Sequence, residues 1–299
     1  MLQTFDERNA DLLVNINGEL VHRDEAGVSP FDSLVQGGDG VWEGLRLYRG
    51  TIFRLREHLE RLRHSALALA FQSVPPVEEL IAEIKKTLVA NRMTDGVHIR
   101  LTLSRGTKIT SGMDPRLNQA GPTLIVLAEH KPPVYDRSGL TLITSSVRRF
   151  TPDSLDPRIH HNNLLPSIMA KIEANASGAD DALMLDARGF VAETNATHVF
   201  CVHRGEVQTP RAIACPEGIT RATVLELCED HEIPCRELDL TLYDFYRADE
   251  VFCSGTMGEL ASVTRIDGRT IGDGAPGPVT KQLSQMYRAM TDTAGDPVL

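Results

Sequence analysis

Lysine is scarce in this chain. Of 31 basic residues only six are lysine, at positions 85, 86, 108, 131, 171 and 281, so chemistry that needs a lysine amine has six places to sit. Positive charge is also in deficit: the formal net charge is -10 and the pI about 5.5. That excludes the basic face by which proteins hold nucleic acid or an anionic membrane. No apolar run reaches the length of a membrane span. The stretch MLQTFDERNADLL is polar and acidic, unlike a secretion signal, and a cytoplasmic location is expected. No CxxC occurs, and the five cysteines (Cys201, Cys215, Cys228, Cys235 and Cys253) are odd in number and confined to the second half. A disulfide framework and a zinc site are thereby disfavoured, and buried thiols in a reducing compartment are expected. No HExxH is present, so no metal is expected. Without a signal peptide, Asn195-Ala196-Thr197 is a chance match to a glycosylation acceptor.

What is present is an ordinary globular chain. Its 299 residues, 41% hydrophobic and 24% charged, suit two domains. LLVNINGELV predicts a hairpin about Asn17-Gly18. Residues 55–70 predict a helix burying Leu55, Leu59, Leu62, Ala66 and Leu69, and 77–91 a second burying Leu80, Ile81, Ile84 and Leu88. Strands follow at 97–106 and 122–130. KPPVYDRSG, with two prolines, a glycine and charges, predicts a linker over 131–139. It separates a small N-terminal domain (1–130) from a larger C-terminal one (140–299). The latter shows a strand at GLTLITSSV and a helix over LLPSIMAKIEANASG stopped by Gly178. A meander with turns at Arg188-Gly189 and Arg204-Gly205 follows, then a helix from Gly218, a strand at DEVFCSG and a final helix. The class is α+β, with mostly antiparallel sheets packed on helices.

Four segments carry candidate chemistry. PEGITRATVLEL places Gly218, Ile219 and Thr220 at a helix N-terminus, which offers free N–H groups to an anion. SGTMGEL follows a buried strand: Gly255 admits a close ligand and Thr256 offers a hydroxyl. EHLERL carries Arg61 beside apolar positions, either a snorkelling surface residue or a fixed cation. Glu193 sits where the strand pattern of GFVAETNATHVF breaks. Each has an ordinary structural reading when taken alone.

Taken in order and at these intervals, EHLERL, AETNATHVF, GITRATV and SGTMGEL resemble the class IV aminotransferases, the branched-chain and D-amino acid aminotransferase family. The likeness runs from GDGVWEGLRLY to GPVTKQL. It implies a two-domain, fold type IV architecture, a homodimer, and pyridoxal phosphate as cofactor for amino-group transfer between an amino acid and a 2-oxo acid. It implies that Arg61, the Ile219 and Thr220 backbone and Thr256 hold the phosphate. Glu193 would face the pyridine nitrogen, Asn195 and Ala196 would lie along the ring, Trp42 would line the pocket, and Arg105 would meet the substrate carboxylate.

One segment departs from the family pattern. DPRIHHNNLLPSIMAKIEA puts His160 in the slot of the Schiff-base lysine. Lys171 matches a non-catalytic helix lysine. Imidazole cannot make that covalent bond, but it suits proton transfer near neutral pH. Three readings stay open. The covalent lysine has moved, with Lys108 in LSRGTKITSGMDPR as the candidate. Or the pocket is repurposed, as a pyridoxal phosphate-independent enzyme or a non-catalytic protein binding a phosphate- or carboxylate-bearing ligand, so that the cofactor is held non-covalently or is absent. Or His160 and His161, with His198, hold a metal, although adjacent strand histidines point to opposite faces. Independently, Asn162 or Asn163 would N-cap the helix that follows.

Overall fold

The computed structural model describes residues 3–133, 135 and 138–299, and these form two compact units. The N-terminal unit holds residues 3–132 together with 159–163 and 291–299; the C-terminal unit holds the described residues of 133–158 and 164–290. Residues 134, 136 and 137 of the expected linker lie outside the described residues. The HHNN segment thus belongs with the N-terminal unit, although the sequence boundary at 131–139 assigns it to the C-terminal one.

In the N-terminal unit the strands are β1 (Leu13–Ile16), β2 (Glu19–His22), β3 (Gly40–Tyr48), β4 (Thr51–Ile52), β5 (Val97–Ser104) and β6 (Thr123–His130). The helices are α1 (Ser33–Gly37), α2 (Leu55–Ala68) and α3 (Val77–Ala90). With a short closing strand, Asp296–Pro297, the sheet runs closing strand–β4–β3–β5–β6–β1–β2, antiparallel throughout. Strand parity decides its faces. Val41, Leu45 and Leu47 of β3 and Val97, Ile99, Leu101 and Leu103 of β5 are wholly buried in one core with Leu55, Leu59, Leu62, Leu80, Ile84 and Leu88. Each such side chain contributes about 1.5–3 kcal/mol on burial. Strand β4 pairs with β3 only at Leu47 and Tyr48, which leaves the edge of β3 from Gly40 to Arg46 uncovered by it.

The C-terminal unit contains β7 (Leu140–Arg148), α4 (Leu165–Ala176), β8 (Asp181–Leu185), β9 (Val191–Thr194), β10 (His198–His203), β11 (Glu206–Pro210) and α5 (Ile219–Asp230). It continues with β12 (Cys235–Leu238), α6 (Leu242–Tyr246), β13 (Glu250–Gly255), β14 (Glu259–Ile266), β15 (Arg269–Thr270) and α7 (Pro278–Thr293), of which residues 291–293 belong to the N-terminal unit. Its sheet runs β12–β11–β10–β13–β14–β7–β8–β9, with β15 on β14. The pairs β11/β12, β14/β7 and β7/β8 are parallel and the rest antiparallel. A parallel neighbour needs a long crossover, and α4 supplies it between β7 and β8. The α+β class read from the sequence is what the fold shows.

Helix α4 corrects one expectation. Its N-cap is Leu164, with no side-chain cap, so neither Asn162 nor Asn163 fills that role. Its faces also run against size. Ala170 and Ala174 are fully buried against Ala182 and Met184, whereas Leu165, Ile168, Met169 and Ile172 are each at least half exposed. The spacing 165, 168, 169, 172 is one helical face.

Candidate functional site

The open edge of β3 explains where HHNN lies. Trp42 N donates to His160 O at 3.0 Å and Asn162 N donates to Gly40 O at 2.9 Å, with Val41 and His161 bridged antiparallel. Residues 160–162 thus act as a short strand along that edge. Gly40 is needed for the approach: a Cβ there would sit 2.8 Å from both Asn162 Nδ2 and Leu34 Cδ1. At an edge, side chains from both faces of β3 can reach one neighbour, and His160 meets Trp42 on one side and Glu43 on the other.

Glu43 is the lone charge on the buried face of β3, fully enclosed. Such a group needs partners on every oxygen. Helix α2 supplies most of them, because His58, Arg61 and Ser65 fall on one stripe beside its leucine face. Arg61 donates Nε to Glu43 Oε1 and Nη2 to Oε2, both at 2.7 Å. His58 Nδ1 lies 2.6 Å from Oε2, and His160 Nδ1 lies 3.1 Å from Oε1. Ser65 Oγ accepts from His160 N at 3.1 Å. Burial alone would push the Glu43 carboxyl up. Arg61 and then His160 outweigh it and hold the carboxyl well below the usual range. Burial pushes the His160 imidazole down, against the pull of Glu43. The result is an ionised carboxylate beside a neutral imidazole.

The opposite face of the same sheet carries unneutralised cations. The Arg100 guanidinium lies 3.5 Å above the Trp42 ring and donates to Asn162 Oδ1 at 3.0 Å. Trp42 in turn meets His160 at 4.3 Å between centroids with the rings tilted by 31°, so Arg100 and His160 both contact Trp42. Burial brings the Arg100 pKa down to about 10, which still leaves it charged. Arg46 is 6% exposed, its Nε has no hydrogen bond, and its Nη1 reaches only the Lys131 carbonyl at 3.4 Å. Among the described residues neither Arg46 nor Arg100 is ion-paired. His98, opposite Arg46 on β5, has its pKa pushed down to about 3 by burial, with Lys131, Arg100 and Arg46 adding to it. The charge of this face therefore comes from the arginines.

In the C-terminal unit three turns converge. Glu193 is buried, and its Oε1 lies 2.8 Å from Arg149 Nη2 while Oε2 lies 3.3 Å from His198 Nδ1. His198 packs on the start of α5: a Cβ on Gly218 would lie 2.1 Å from His198 Nε2, and φ at Gly218 is +72°. Ile219 and Thr220 open α5, with Thr220 buried. A Cβ on Gly255 would lie 3.0 Å from Thr197 Cγ2, which brings the Thr256 turn beside the Asn195-Ala196-Thr197 turn. Asn195 is tied to β8 through Ala182 N at 2.7 Å. Glu193, His198 and Cys215 offer ligand atoms within 4.8 Å of one another. Two features oppose a cation there: Arg149 already neutralises Glu193, and burial holds the Cys215 thiol well above its ordinary range.

The remaining expected residues are engaged elsewhere. Arg105 grips Asp39 through Nε at 2.6 Å and Nη2 at 3.0 Å, and donates to the carbonyls of Leu69 and Ala70. Lys108 is buried and donates to the Gly112 carbonyl at 2.5 Å. Lys171 pairs with Asp181 at 3.0 Å. No lysine is among the described residues bonded to Glu43 or His160. His161 Nδ1 accepts from Asn163 N at 3.1 Å, so the two adjacent histidines serve different partners. Sequence reading passed over Glu43, His58, Ser65, Arg46 and Arg100. The signal for Glu43 was its inward parity in GVWEGLRLY.

A pyridoxal phosphate group fits these residues in part. The buried Glu193 carboxylate and the start of α5 suit a ring nitrogen and an anion. No amine stands in the His160 cluster to bind such a group covalently.

Comparison with known proteins agrees with this architecture. Residues 40–266 match the family profile described as amino-transferase class IV. The chain is 55% identical to a branched-chain-amino-acid aminotransferase-like protein 2 of Arabidopsis thaliana over 97% of its own length, but spans only 52%, about half, of that relative. It is 40% identical to a putative branched-chain-amino-acid aminotransferase of Methanocaldococcus jannaschii, covering 92% of this chain and 95% of that one. Among solved structures, the branched-chain amino acid aminotransferase from Thermobaculum terrenum in its PLP-form superposes with a TM-score of 0.84 at 28% identity, covering 94% of each chain. The chain belongs to the class IV aminotransferase family.

Proposed function

We propose that this protein acts in amino-group transfer between an amino acid and a 2-oxo acid, with a pyridoxal phosphate-class cofactor held without a covalent bond. The observation that carries the reading is the pair Arg46, buried, and Arg100, half-buried: two arginines on one sheet face with no salt-bridge partner among the described residues. Leaving a buried cation unpaired is costly, and a substrate carboxylate would offset that cost. In the C-terminal unit, Glu193 would hold a protonated ring nitrogen, and Ile219, Thr220 and Thr256 would bind the phosphate. When bound, that cofactor supplies the electron sink for loss of a Cα proton. A homodimer is inferred as well. The exposed face of α4 is apolar and uncharged, because Lys171 and Glu173 turn to Asp181 and Ser145 of their own unit. It complements a second copy of itself.

A second reading rests on Arg61. Its Nε and Nη2 are already bonded to Glu43, not presented to a phosphate. That favours a cleft reused for another phosphate- or carboxylate-bearing ligand without pyridoxal chemistry.

Absorption titration with pyridoxal phosphate and pyridoxamine phosphate, followed by borohydride reduction and peptide mass mapping, separates the two. Saturable binding with no lysine label is expected, together with weakened 2-oxo acid binding in Arg100→Leu. Label on Lys108 would show that the covalent link has moved. Absence of binding by either cofactor form would leave the second reading.

A further inference from the structure

We propose that Glu43 and His160 form a carboxylate–imidazole base, in which His160 Nε2 takes up and returns a proton of the bound amino acid and Glu43 positions it. This rests on the amino-transfer reading above and deepens it, because it names the group that moves the proton where the family pattern expects a lysine.

The tautomer follows from the donor set. Glu43 is ionised and can only accept, and three side chains make four contacts with its two oxygens: Arg61 twice, His58 and His160. The proton between Glu43 Oε1 and His160 Nδ1 must therefore sit on Nδ1. Nε2 is left with its lone pair free to accept a proton. Nε2 makes no hydrogen bond among the described residues.

The ring is also held. Its backbone is fixed at N by Ser65 and at O by Trp42, and the ring packs tilted against that of Trp42. The His160 side chain is 16% exposed, so a limited edge can meet a ligand. On taking a proton at Nε2 the ring becomes an imidazolium already in contact with a carboxylate, and nothing has to reorganise. Arg61 keeps Glu43 from taking that proton itself. The other charged groups near the ring are the Arg100 guanidinium, beyond Trp42, and His58, across Glu43. Burial first, then the Arg61 guanidinium, and His58 when charged, oppose a positive His160, which keeps the resting imidazole neutral and able to accept.

The test uses the whole chain labelled with ¹⁵N at histidine. His160 is assigned by its loss in His160→Asn. The expected spectrum shows Nδ1 protonated and Nε2 bare near neutral pH. In Glu43→Gln the titration midpoint of His160 should move lower still, whereas His58→Asn should leave the tautomer unchanged. A resting Nε2–H tautomer in the unsubstituted chain overturns the dyad, whatever happens to the variants. The second readout is solvent-hydrogen exchange at Cα of an amino acid with pyridoxal phosphate present. His160→Ala should lose about 100-fold or more, and Glu43→Gln should shift the rising limb of the pH profile. Exchange in His160→Ala at the unsubstituted rate overturns the proton-carrier role. Failure of cofactor binding in the titration removes the amino-transfer reading and this role with it, whereas a wrong tautomer removes the dyad alone.

Discussion

Glu43 shows how much one misfitting residue can reveal. In GVWEGLRLY the alternation places Val41, Leu45 and Leu47 inward, and a carboxylate at the same parity must find a cation. The sequence makes that need legible, but it does not name Arg61, His58 or His160 as the answer, because they come from α2 and from a segment more than a hundred residues away. Breaking the pair has a calculable cost. Arg61→Ala leaves a buried charge uncompensated, and urea denaturation should show a loss of about 3–5 kcal/mol. Acid has a related effect. Glu43 binds its proton more weakly folded than unfolded, so its contribution is complete above the unfolded pKa of about 4.3 and disappears as pH falls through the folded value. His160, also depressed by burial, begins to withdraw its share below about 6.5. Stability measured from pH 7 downward should therefore fall in two stages, and Glu43→Gln should flatten the more acidic one.

At the scale of elements, hydrophobic period served well for α2, α3 and the hairpin. The apolar residues spaced for burial in the two helices are buried, apart from Ile81 and Leu69, which are only partly covered, while His58, Ser65, Val77 and Thr87 are buried as well. It failed for α4. There, size and spacing point Leu165, Ile168, Met169 and Ile172 inward, yet the sheet accepts only Ala170 and Ala174. Period reports that a face exists; it does not report which surface will meet it. The same helix provides a test. Ala170→Leu should cost about 1–3 kcal/mol through overpacking, while Ile168→Ser should change monomer stability by no more than about 0.5 kcal/mol, both read from thermal or urea unfolding at low protein concentration. The α5 start is the other element whose setting was hidden. Gly218 was visible as a helix start, but the imidazole of His198 pressed against it depends on β10 lying alongside.

For the molecule as a whole, the sequence captured the α+β class, and it did not indicate how the chain is shared between the two compact units. Two short segments, 159–163 and 291–299, return to the N-terminal unit. Local pattern cannot announce this, since three residues at a strand edge carry no period. Association is the property most open to measurement at this scale. Sedimentation equilibrium should find a dimer, and Ile168→Asp combined with Ile172→Asp should yield monomer with its secondary structure intact; an unchanged dimer would place the interface elsewhere.

The strip His160–Asn162 along β3 has one more consequence, for the chain as it emerges and folds. Until residue 162 has been made, a nine-residue strand stands with most of one edge unprotected, and an open, apolar edge is a template for other copies. A polypeptide ending at Pro132 would keep that edge permanently bare. Such a fragment should aggregate on refolding at concentrations where the full chain stays clear by light scattering, and a peptide spanning residues 156–166 added in trans should suppress the turbidity. The residues assigned to proton transfer would then also be the ones that keep the young chain from joining its neighbours.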